Sequence, residues 1–265
     1  SHSLIIFIPK NTSRKLNTVK KSNPLGCSDA EWQVRCDLAA AFQLCYYFGF
    51  CDLVWTHLSA RVPGERDVFL LNPSGCLFDE VTASNLIKVD IDGNSLDGQQ
   101  VNPAAFTIHS AVYRADDRYH CTVHLHGQHG GAISALKEGL QPVHNFYFAI
   151  GDVSYHDYEG FAFRDDEGKR LIENLGNNKA MILRNHGTLT VGETIAAAFI
   201  RAYYIEKLSE IQIAAMSSGR ELTLISEKIC QEDKDAIKRF GEPGAIEWPA
   251  LLRLLSRQGI DAHLG

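Results

Sequence analysis

Long hydrophobic runs are missing from this 265-residue sequence. No apolar stretch reaches the roughly 18 residues that a membrane-spanning helix requires, so the sequence predicts a soluble protein with no membrane partner. The opening residues, SHSLIIFIPK, contain only a short apolar run, with neither a charged segment before it nor a small-residue cleavage site after it. We therefore do not expect a signal peptide in this segment.

Paired cysteines are missing as well. The sequence contains seven cysteines, an odd number, and they lie singly, with no CxxC motif. Scattered cysteines of this kind are typical of reduced, mostly buried thiols. A cytoplasmic location is the expectation that follows.

The sequence also has no excess of positive charge, since its formal net charge is −6 at pH 7. Nucleic acid, which attracts basic proteins, is therefore not expected as a partner. Three familiar motifs are absent too: GxSxG, the P-loop, and a GxGxxG between a strand and a helix. Their absence argues against covalent hydrolysis and nucleotide-dependent chemistry.

The composition that remains is that of a globular protein, with 45% hydrophobic and 22% charged residues. A chain of this length can bury one sizeable core, so we expect a single main domain, predicted over 28–220. Residues 1–27 mix Lys, Asn, Ser, Thr and Pro without periodicity, and we expect a mobile arm there, with one docked strand at 4–8. A helical extension is predicted over 221–265.

Periodicity and capping signals predict interleaved helices and strands. SDAE at 28–31 is a capping box and Gly49 is a stop signal, so a helix is predicted over 29–48. Short β-rich runs separated by turn residues predict a meander of three strands, at 53–62, 67–73 and 85–94. Further helices are predicted near 103–115, 132–138, 167–175 and 193–217, and further strands near 122–125 and 180–185. This order predicts an α/β fold in which helices cover both faces of a mixed, largely antiparallel sheet.

Three histidines are concentrated in CTVHLHGQHGG, at the end of a predicted buried strand. His124 and His126 are two residues apart, so on a strand both side chains leave the same face and can converge on one ion. The best candidate for a third ligand is His186, which follows the apolar strand AMILRN and precedes Gly187. Two strand-end histidines and a distant third are typical of a catalytic divalent-metal site with an open position. The alternative is that His124 and His126 are hydrogen-bonded core residues, because HxH alone is a weak motif.

Three further segments carry polar groups that could serve a site. NPSG at 72–75 is a turn whose donors could bind an anion or a sugar hydroxyl, although a plain β-turn needs no function. THLS at 56–59 lies close to a strand end. YHDYEG at 155–160 packs two tyrosines, a histidine and two carboxylates into six residues, and is either a solvated loop or a source of catalytic acid and base groups.

Several segments, in their order along the chain, closely resemble the class II aldolase/adducin family. They include HLSARVPG (57–64), NPAAFTIHSAVYRA (102–115), VHLHG (123–127), VSYHDYEG (153–160) and ILRNHGTLTVGETIAAAF (182–199). The likeness extends from about residue 30 to residue 217. It implies a three-layer α/β/α sandwich with a central mixed, mostly antiparallel sheet, and a homotetramer with sites at subunit interfaces.

The resemblance also implies a metal cofactor. In the sugar-phosphate aldolases and epimerases of the family, three histidines that match His124, His126 and His186 hold a divalent ion, commonly zinc. The ion acts as a Lewis acid on a substrate carbonyl. Zinc is therefore the expected metal, with manganese, iron or cobalt as alternatives, since imidazole ligands suit several of these ions.

The sequence departs from the family aldolases at three places. Those enzymes carry an acidic residue four positions before the histidine that matches His109, and this chain has Ala105 there. Small hydroxyl residues that bind the substrate phosphate are replaced by Pro-Ala at 103–104, and the Gly-Asn of a second phosphate loop is replaced by Thr-His at 56–57. These changes resemble the adducin-like branch and predict a substrate without a phosphate.

Two hypotheses follow. The first is a metal-dependent lyase that cleaves or forms a carbon–carbon bond next to a carbonyl, by aldol or decarboxylation chemistry, with proton transfer from Tyr155, His156 or a metal-bound water. Its small substrate would contact four predicted pocket residues, Ser59, Asn72, Ser74 and Gly75. The second is a non-catalytic oligomerisation or interaction module like the adducin head, in which the histidines are a structural remnant.

Overall fold

The computed structural model describes residues 23–160, 166–237 and 243–264. Most of the predicted N-terminal arm, including the strand expected at 4–8, lies outside the described residues. The domain boundaries predicted from the sequence remain a prediction.

Seven strands lie within the described residues: β1 (His57–Arg61), β2 (Val68–Leu71), β3 (Ile87–Asp90), β4 (Cys121–Leu125), β5 (Val153–His156), β6 (Ala180–Leu183) and β7 (Gly187–Gly192). They form one sheet in the spatial order β3-β2-β1-β4-β7-β6-β5. Every neighbouring pair runs antiparallel except β5 and β6, which are parallel. The predicted mixed, mostly antiparallel sheet is confirmed.

Eight α-helices accompany the sheet in the same described ranges: α1 (Asp29–Phe48), α2 (Pro103–Ala115), α3 (Gln128–Ser134), α4 (Tyr147–Ile150), α5 (Glu167–Leu175), α6 (Ile195–Met216), α7 (Glu227–Ile237) and α8 (Glu247–Arg257). Two short 3-10 helices cover Phe78–Glu80 and Ala262–Leu264. In the part of the chain that the structure describes, no helix is both long and apolar enough to cross a membrane.

Helices cover both faces of the sheet, so the molecule has the expected three layers. On one face, Phe42 of α1 and Phe199 of α6 pack with Val123 of β4 in a single buried cluster. On the other face, Val112 of α2 packs with Leu189 of β7 and with buried leucines of α5. Strand side chains alternate between the two faces of a sheet. Val123 therefore points into the first core, and His124 points to the opposite face.

Helix α1 begins and ends where the sequence predicts. The Ser28 hydroxyl accepts the Glu31 amide hydrogen at 3.1 Å, and Gly49 ends the helix with a left-handed φ of 74°. Inside the fold, Arg35 pairs with Glu31 at 2.8 Å and donates to the Leu86 carbonyl at 2.7 Å. The buried ion pair therefore also fastens α1 to the segment before β3.

Several elements differ from the sequence prediction. Helix α4 and strand β5 lie in a Tyr- and His-rich span where no element is predicted, and β7 begins and ends with glycine, which weakens its strand signal. Helix α3 covers Gln128–Ser134 instead of 132–138, because Glu206, a residue of the distant helix α6, caps its start.

The strand ends that carry the predicted site residues meet at one edge of the sheet. His57, at the start of β1, lies opposite His124 near the end of β4. Leu183, at the end of β6, pairs with both Gly187 at the start of β7 and His156 at the end of β5. The pairing register thus brings polar segments far apart in sequence to a common edge.

Candidate metal centre

His124, His126 and His186 come together at this edge. One nitrogen from each ring lies within 4.8 Å of the others, and the Nε2 atoms of His124 and His126 are 3.0 Å apart. Two imidazole nitrogens that bind one zinc ion, each at about 2.0–2.1 Å, lie roughly 3–3.5 Å from each other. The spacing of the three rings fits a shared metal ion.

Hydrogen bonds on the far side of two rings determine which nitrogen faces the centre. Nδ1 of His124 lies 3.0 Å from the Thr188 carbonyl oxygen, and Nδ1 of His126 lies 3.0 Å from a carboxylate oxygen of Asp52. Both partners can only accept, so each Nδ1 carries a hydrogen, and in the neutral imidazole that binds a metal each Nε2 keeps its lone pair. Two lone pairs facing each other would repel, and a cation between them removes that repulsion.

The turn between β6 and β7 places His186 beside the other two rings. Asn185 adopts a left-handed conformation with φ of 55°, which asparagine tolerates better than most residues. Gly187 follows, and a Cβ there would overlap the Leu125 carbonyl oxygen and press on the His126 ring. The glycine therefore allows β7 to approach β4 closely where His186 must reach its partners.

Burial keeps the imidazoles of His124 and His186 neutral, as metal ligands must be. The pKa of His124 lies well below its ordinary value because the ring is fully buried, and the nearby His57 and His186 lower it further. Burial, and after it His126, lowers the pKa of His186 to about 4. Both rings are unprotonated near neutral pH and can offer a lone pair.

Glu206 supports the loop that follows His126. Its side chain is buried, and one carboxylate oxygen accepts the Gly130 amide hydrogen at 3.2 Å. A Cβ on Gly127 or Gly130 would overlap this carboxylate. Burial raises the pKa of Glu206 to about 6. Sequence reasoning missed this residue, although an acidic side chain among the apolar positions of α6 was a usable signal.

A second polar cluster adjoins the metal centre. Nδ1 of His57 lies 2.6 Å from Nε2 of His109, and the other ring nitrogen of His109 contacts the Ser59 hydroxyl. That hydroxyl lies 2.7 Å from the Tyr113 hydroxyl. The His57 ring packs 4.9 Å, centroid to centroid, from His124. Ser59, predicted to line the substrate pocket, belongs to this cluster.

The other predicted pocket residues lie in the loop after β2. Asn72 is buried, and its side-chain oxygen has no hydrogen-bond partner among the described residues. Ser74 and Gly75 are exposed, and Gly75 has a left-handed φ of 81°. Asn72 is the member of this set that presents an unsatisfied buried atom.

The two predicted proton-transfer residues lie on opposite faces of β5. His156 lines a cavity of about 10 Å³ together with His186, and its Nδ1 accepts the Asn174 side-chain amide at 2.8 Å. Tyr155 packs with the other core, and its hydroxyl accepts the Leu140 amide hydrogen at 3.1 Å. The structure brings His156, but not Tyr155, to the side of the three histidines.

Ala105 occupies a closed apolar environment. Its side chain is fully buried in a cluster with Leu71 and Val89. A carboxylate is therefore absent from the position at which the resemblance leads us to expect one.

Comparison with known proteins agrees with this architecture. The family model described as "Class II Aldolase and Adducin N-terminal domain" matches residues 36–213. A solved aldolase II superfamily protein from Pseudomonas syringae is 41% identical, with a TM-score of 0.83 over 89% of this chain and 97% of that one. The L-fuculose 1-phosphate aldolase of Glaciozyma antarctica PI12 is 28% identical, with a TM-score of 0.76 over 90% of this chain and 96% of that one.

Adducin is similar over part of its length. Alpha-adducin of Mus musculus is 41% identical over 212 residues, which cover 77% of this chain and 28% of alpha-adducin. The family model spans more than half of the sequence, and the solved aldolase structures share the fold. The chain belongs to the class II aldolase and adducin family.

Proposed function

We propose that the protein is a metal-dependent lyase that breaks or forms a carbon–carbon bond next to the carbonyl group of a small, non-phosphorylated substrate. The observation that carries this proposal is the fixed orientation of the histidines: Thr188 and Asp52 hold the Nδ1 hydrogens of His124 and His126, so both lone pairs point at one place. A scaffold has no need of such an arrangement. Bound there, a divalent ion, zinc first among the candidates, would supply Lewis acidity toward a substrate carbonyl.

His156 is our candidate for hydrogen bonding and proton transfer to the substrate. Because the Asn174 amide donates to its Nδ1, the ring hydrogen of neutral His156 lies on Nε2. Burial lowers the pKa of His156, so the ring is neutral near pH 7. A neutral imidazole can polarise and protonate a substrate oxygen. Tyr155, whose hydroxyl binds the Leu140 amide, we assign to positioning the 136–140 segment.

The pocket residues favour a small polar substrate. The buried side-chain oxygen of Asn72 has no partner among the described residues, and buried acceptors of this kind normally find one. A substrate hydroxyl would satisfy it. Pro-Ala at 103–104 and Ala105 supply no hydroxyl or charge for a phosphate group.

Metal analysis tests the proposal. The purified protein should contain close to one divalent ion per chain by inductively coupled plasma mass spectrometry, and His124→Ala and His186→Ala should lose it. His120→Ala is the matched control, since His120 is an exposed histidine just before the same strand, and it should keep the ion. A metal-free wild-type protein, or equal metal content in all variants, would refute the proposal.

One observation favours the second hypothesis, a non-catalytic module like the adducin head. Ala105 is fully buried in the core and stands where the resemblance places the acid/base residue of the family aldolases. That residue is therefore missing, although the fold is kept. Metal-loaded protein assayed with a panel of hydroxy-carbonyl and keto-acid compounds separates the two hypotheses. Metal-dependent turnover above background, lost in His186→Ala, would eliminate the scaffold hypothesis.

We also propose that the protein is a cytoplasmic homotetramer. Large apolar side chains are exposed in the single chain: Leu53 at 67%, Trp55 at 63% and Tyr158 at 52%. The Tyr158 ring lies 6.1 Å, centroid to centroid, from His186. Exposed apolar groups of this size often mark an interaction surface. All seven cysteines are free, which suits a reducing compartment. Light scattering after gel filtration should give the mass of four chains, and Trp55→Ser should shift it downward.

A further inference from the structure

The Glu206 carboxylate lies against the segment that follows the candidate metal ligand His126. Glu206, on α6, is 1% exposed, and one of its oxygens accepts the Gly130 amide hydrogen at 3.2 Å. A Cβ on Gly127 or Gly130 would overlap this carboxylate, yet neither glycine has a left-handed φ. Both positions therefore need glycine for the space that the carboxylate fills, and not for the backbone conformation.

Helix α3 connects this segment with the turn that carries another ligand. The helix ends at Ser134, whose carbonyl accepts the Asn185 amide hydrogen at 3.2 Å. Asn185 directly precedes His186 and has a left-handed φ of 55°. The same short helix thus adjoins both the loop after His126 and the turn before His186.

Packing extends this support toward the third ring. A Cβ on Gly130 would also press on the methyl group of Thr188, so β7 and the Glu206 carboxylate both lie against this glycine. The Thr188 carbonyl accepts the Nδ1 hydrogen of His124 at 3.0 Å. The residue that orients His124 therefore packs on the same segment that Glu206 holds.

The position of α3 depends on the contacts at its ends. A helix of seven residues has little stability of its own, because so few turns do not offset the unfavourable start of a helix. Glu206 holds one end, and the other end bonds the turn that carries His186. Metal ligands must lie within about 0.2 Å of their ideal distances, so a small displacement of α3 would disturb the ligand set.

We propose that Glu206 is a positioning residue of the metal centre: through α3 it fixes His126 and His186 relative to each other, and so determines the affinity of the site for a divalent ion. The proposal rests on the proposed function only for an ion at the three histidines, and not for any reaction. It differs from a general stabilising role, in which loss of Glu206 would weaken the fold and leave the metal affinity of the folded protein unchanged.

Cobalt titration of the metal-free full chain, at pH 7.5 and a fixed protein concentration, tests this role. Glu206→Ala removes the acceptor, and we expect the affinity for Co²⁺ to fall by about 10-fold, the lower end of the range for groups that orient metal ligands. The visible absorption of bound Co²⁺, which reports ligand geometry, should change as well. Glu206→Gln keeps an oxygen for the Gly130 amide and should retain both the affinity and the spectrum.

Gln212→Ala is the matched control. Gln212 is buried on the same helix, and its side chain bonds the Gly139 carbonyl at 2.9 Å and the Gln141 amide at 2.8 Å, in a segment without a ligand candidate. This variant should lose stability in urea, because two backbone groups lose their partner, and keep the wild-type affinity for Co²⁺. Glu206→Asp, whose shorter side chain withdraws the carboxylate from the Gly130 amide, takes the place of Glu206→Ala if the alanine variant does not fold.

Hydrogen exchange followed by NMR tests the path through α3 without a metal. In metal-free Glu206→Ala, the Asn185 amide should exchange about fivefold faster than in wild type, the effect of losing one hydrogen bond. Gln212→Ala should show wild-type exchange at Asn185.

The outcomes separate this proposal from the proposed function. Equal Co²⁺ affinity in wild type and Glu206→Ala, an equal loss of affinity in Gln212→Ala, or unchanged exchange at Asn185 overturns the role of Glu206. An affinity that depends on Glu206, with no turnover of any compound in the panel, overturns the lyase and leaves the positioning role standing. A wild-type protein that binds no Co²⁺ overturns both.

Discussion

Replacing Glu206 by glutamine should make the protein more stable near neutral pH. The Glu206 side chain is buried, and one of its oxygens has no hydrogen-bond partner among the described residues. Burial is the largest influence on this group and raises the pKa of its carboxyl from 4.5 to about 6. The folded protein therefore holds the proton more tightly than the unfolded chain does.

The sign and size of the effect follow from that difference. Between pH 4.5 and about 6 the folded state binds more protons than the unfolded state, so the free energy of unfolding falls as pH rises through this window. At 1.36 kcal/mol for each pH unit, the charged carboxylate costs about 2 kcal/mol at pH 7. Glu206→Gln keeps an oxygen that can accept the Gly130 amide hydrogen and has no charge. It should therefore be up to about 2 kcal/mol more stable than wild type at pH 7.5 and nearly equal to it at pH 4.5.

Urea unfolding followed by circular dichroism at several pH values would measure the difference. A chelator and a fixed protein concentration keep metal binding and assembly out of the comparison. Glu210→Gln is the control, because Glu210 is exposed on the same helix and its pKa is lowered by a hydrogen bond from Lys207. Relative to wild type, the Glu210→Gln variant should gain no stability as pH rises. Parallel pH profiles for Glu206→Gln and wild type, or a less stable variant at pH 7.5, would refute the reasoning.

Three further predictions concern other parts of the molecule. Asp52→Asn should lower the affinity for a divalent ion by about 10- to 100-fold, because the carboxylate orients His126; titration against a metal-sensitive dye measures it, and unchanged affinity would contradict that role. Arg35→Ala should cost about 3–5 kcal/mol in urea unfolding, since it leaves Glu31 buried without its main partner, and Glu31→Gln in the same chain should recover part of this loss. Three fully buried thiols should react with Ellman's reagent only after unfolding: Cys36, Cys45 and Cys121. Reaction of all seven thiols in the native protein would show that these cores open readily.

Much of the fold could be predicted from local patterns. The capping serine and the stop glycine of α1 are contiguous signals, and the structure uses both. The spacing of His124 and His126 is also local, because any strand of period two sends both side chains to one face. Local patterns predict no strand at β7, because its alternating run, TLTV, is only four residues long and is bounded by glycines.

The sequence by itself determined the class of fold, the pair of histidines on one strand and the loss of the carboxylate at Ala105. Only the tertiary structure decided how the site is completed. Thr188 lies 64 residues from His124 in sequence, and Asp52 lies 74 residues from His126. His57 is 52 residues from His109, and Glu206 is 76 residues from Gly130, whose amide hydrogen it accepts. Periodicity describes neighbours along the chain, whereas these hydrogen bonds depend on which strands pair and in which register, and that is settled when the cores on both faces of the sheet pack.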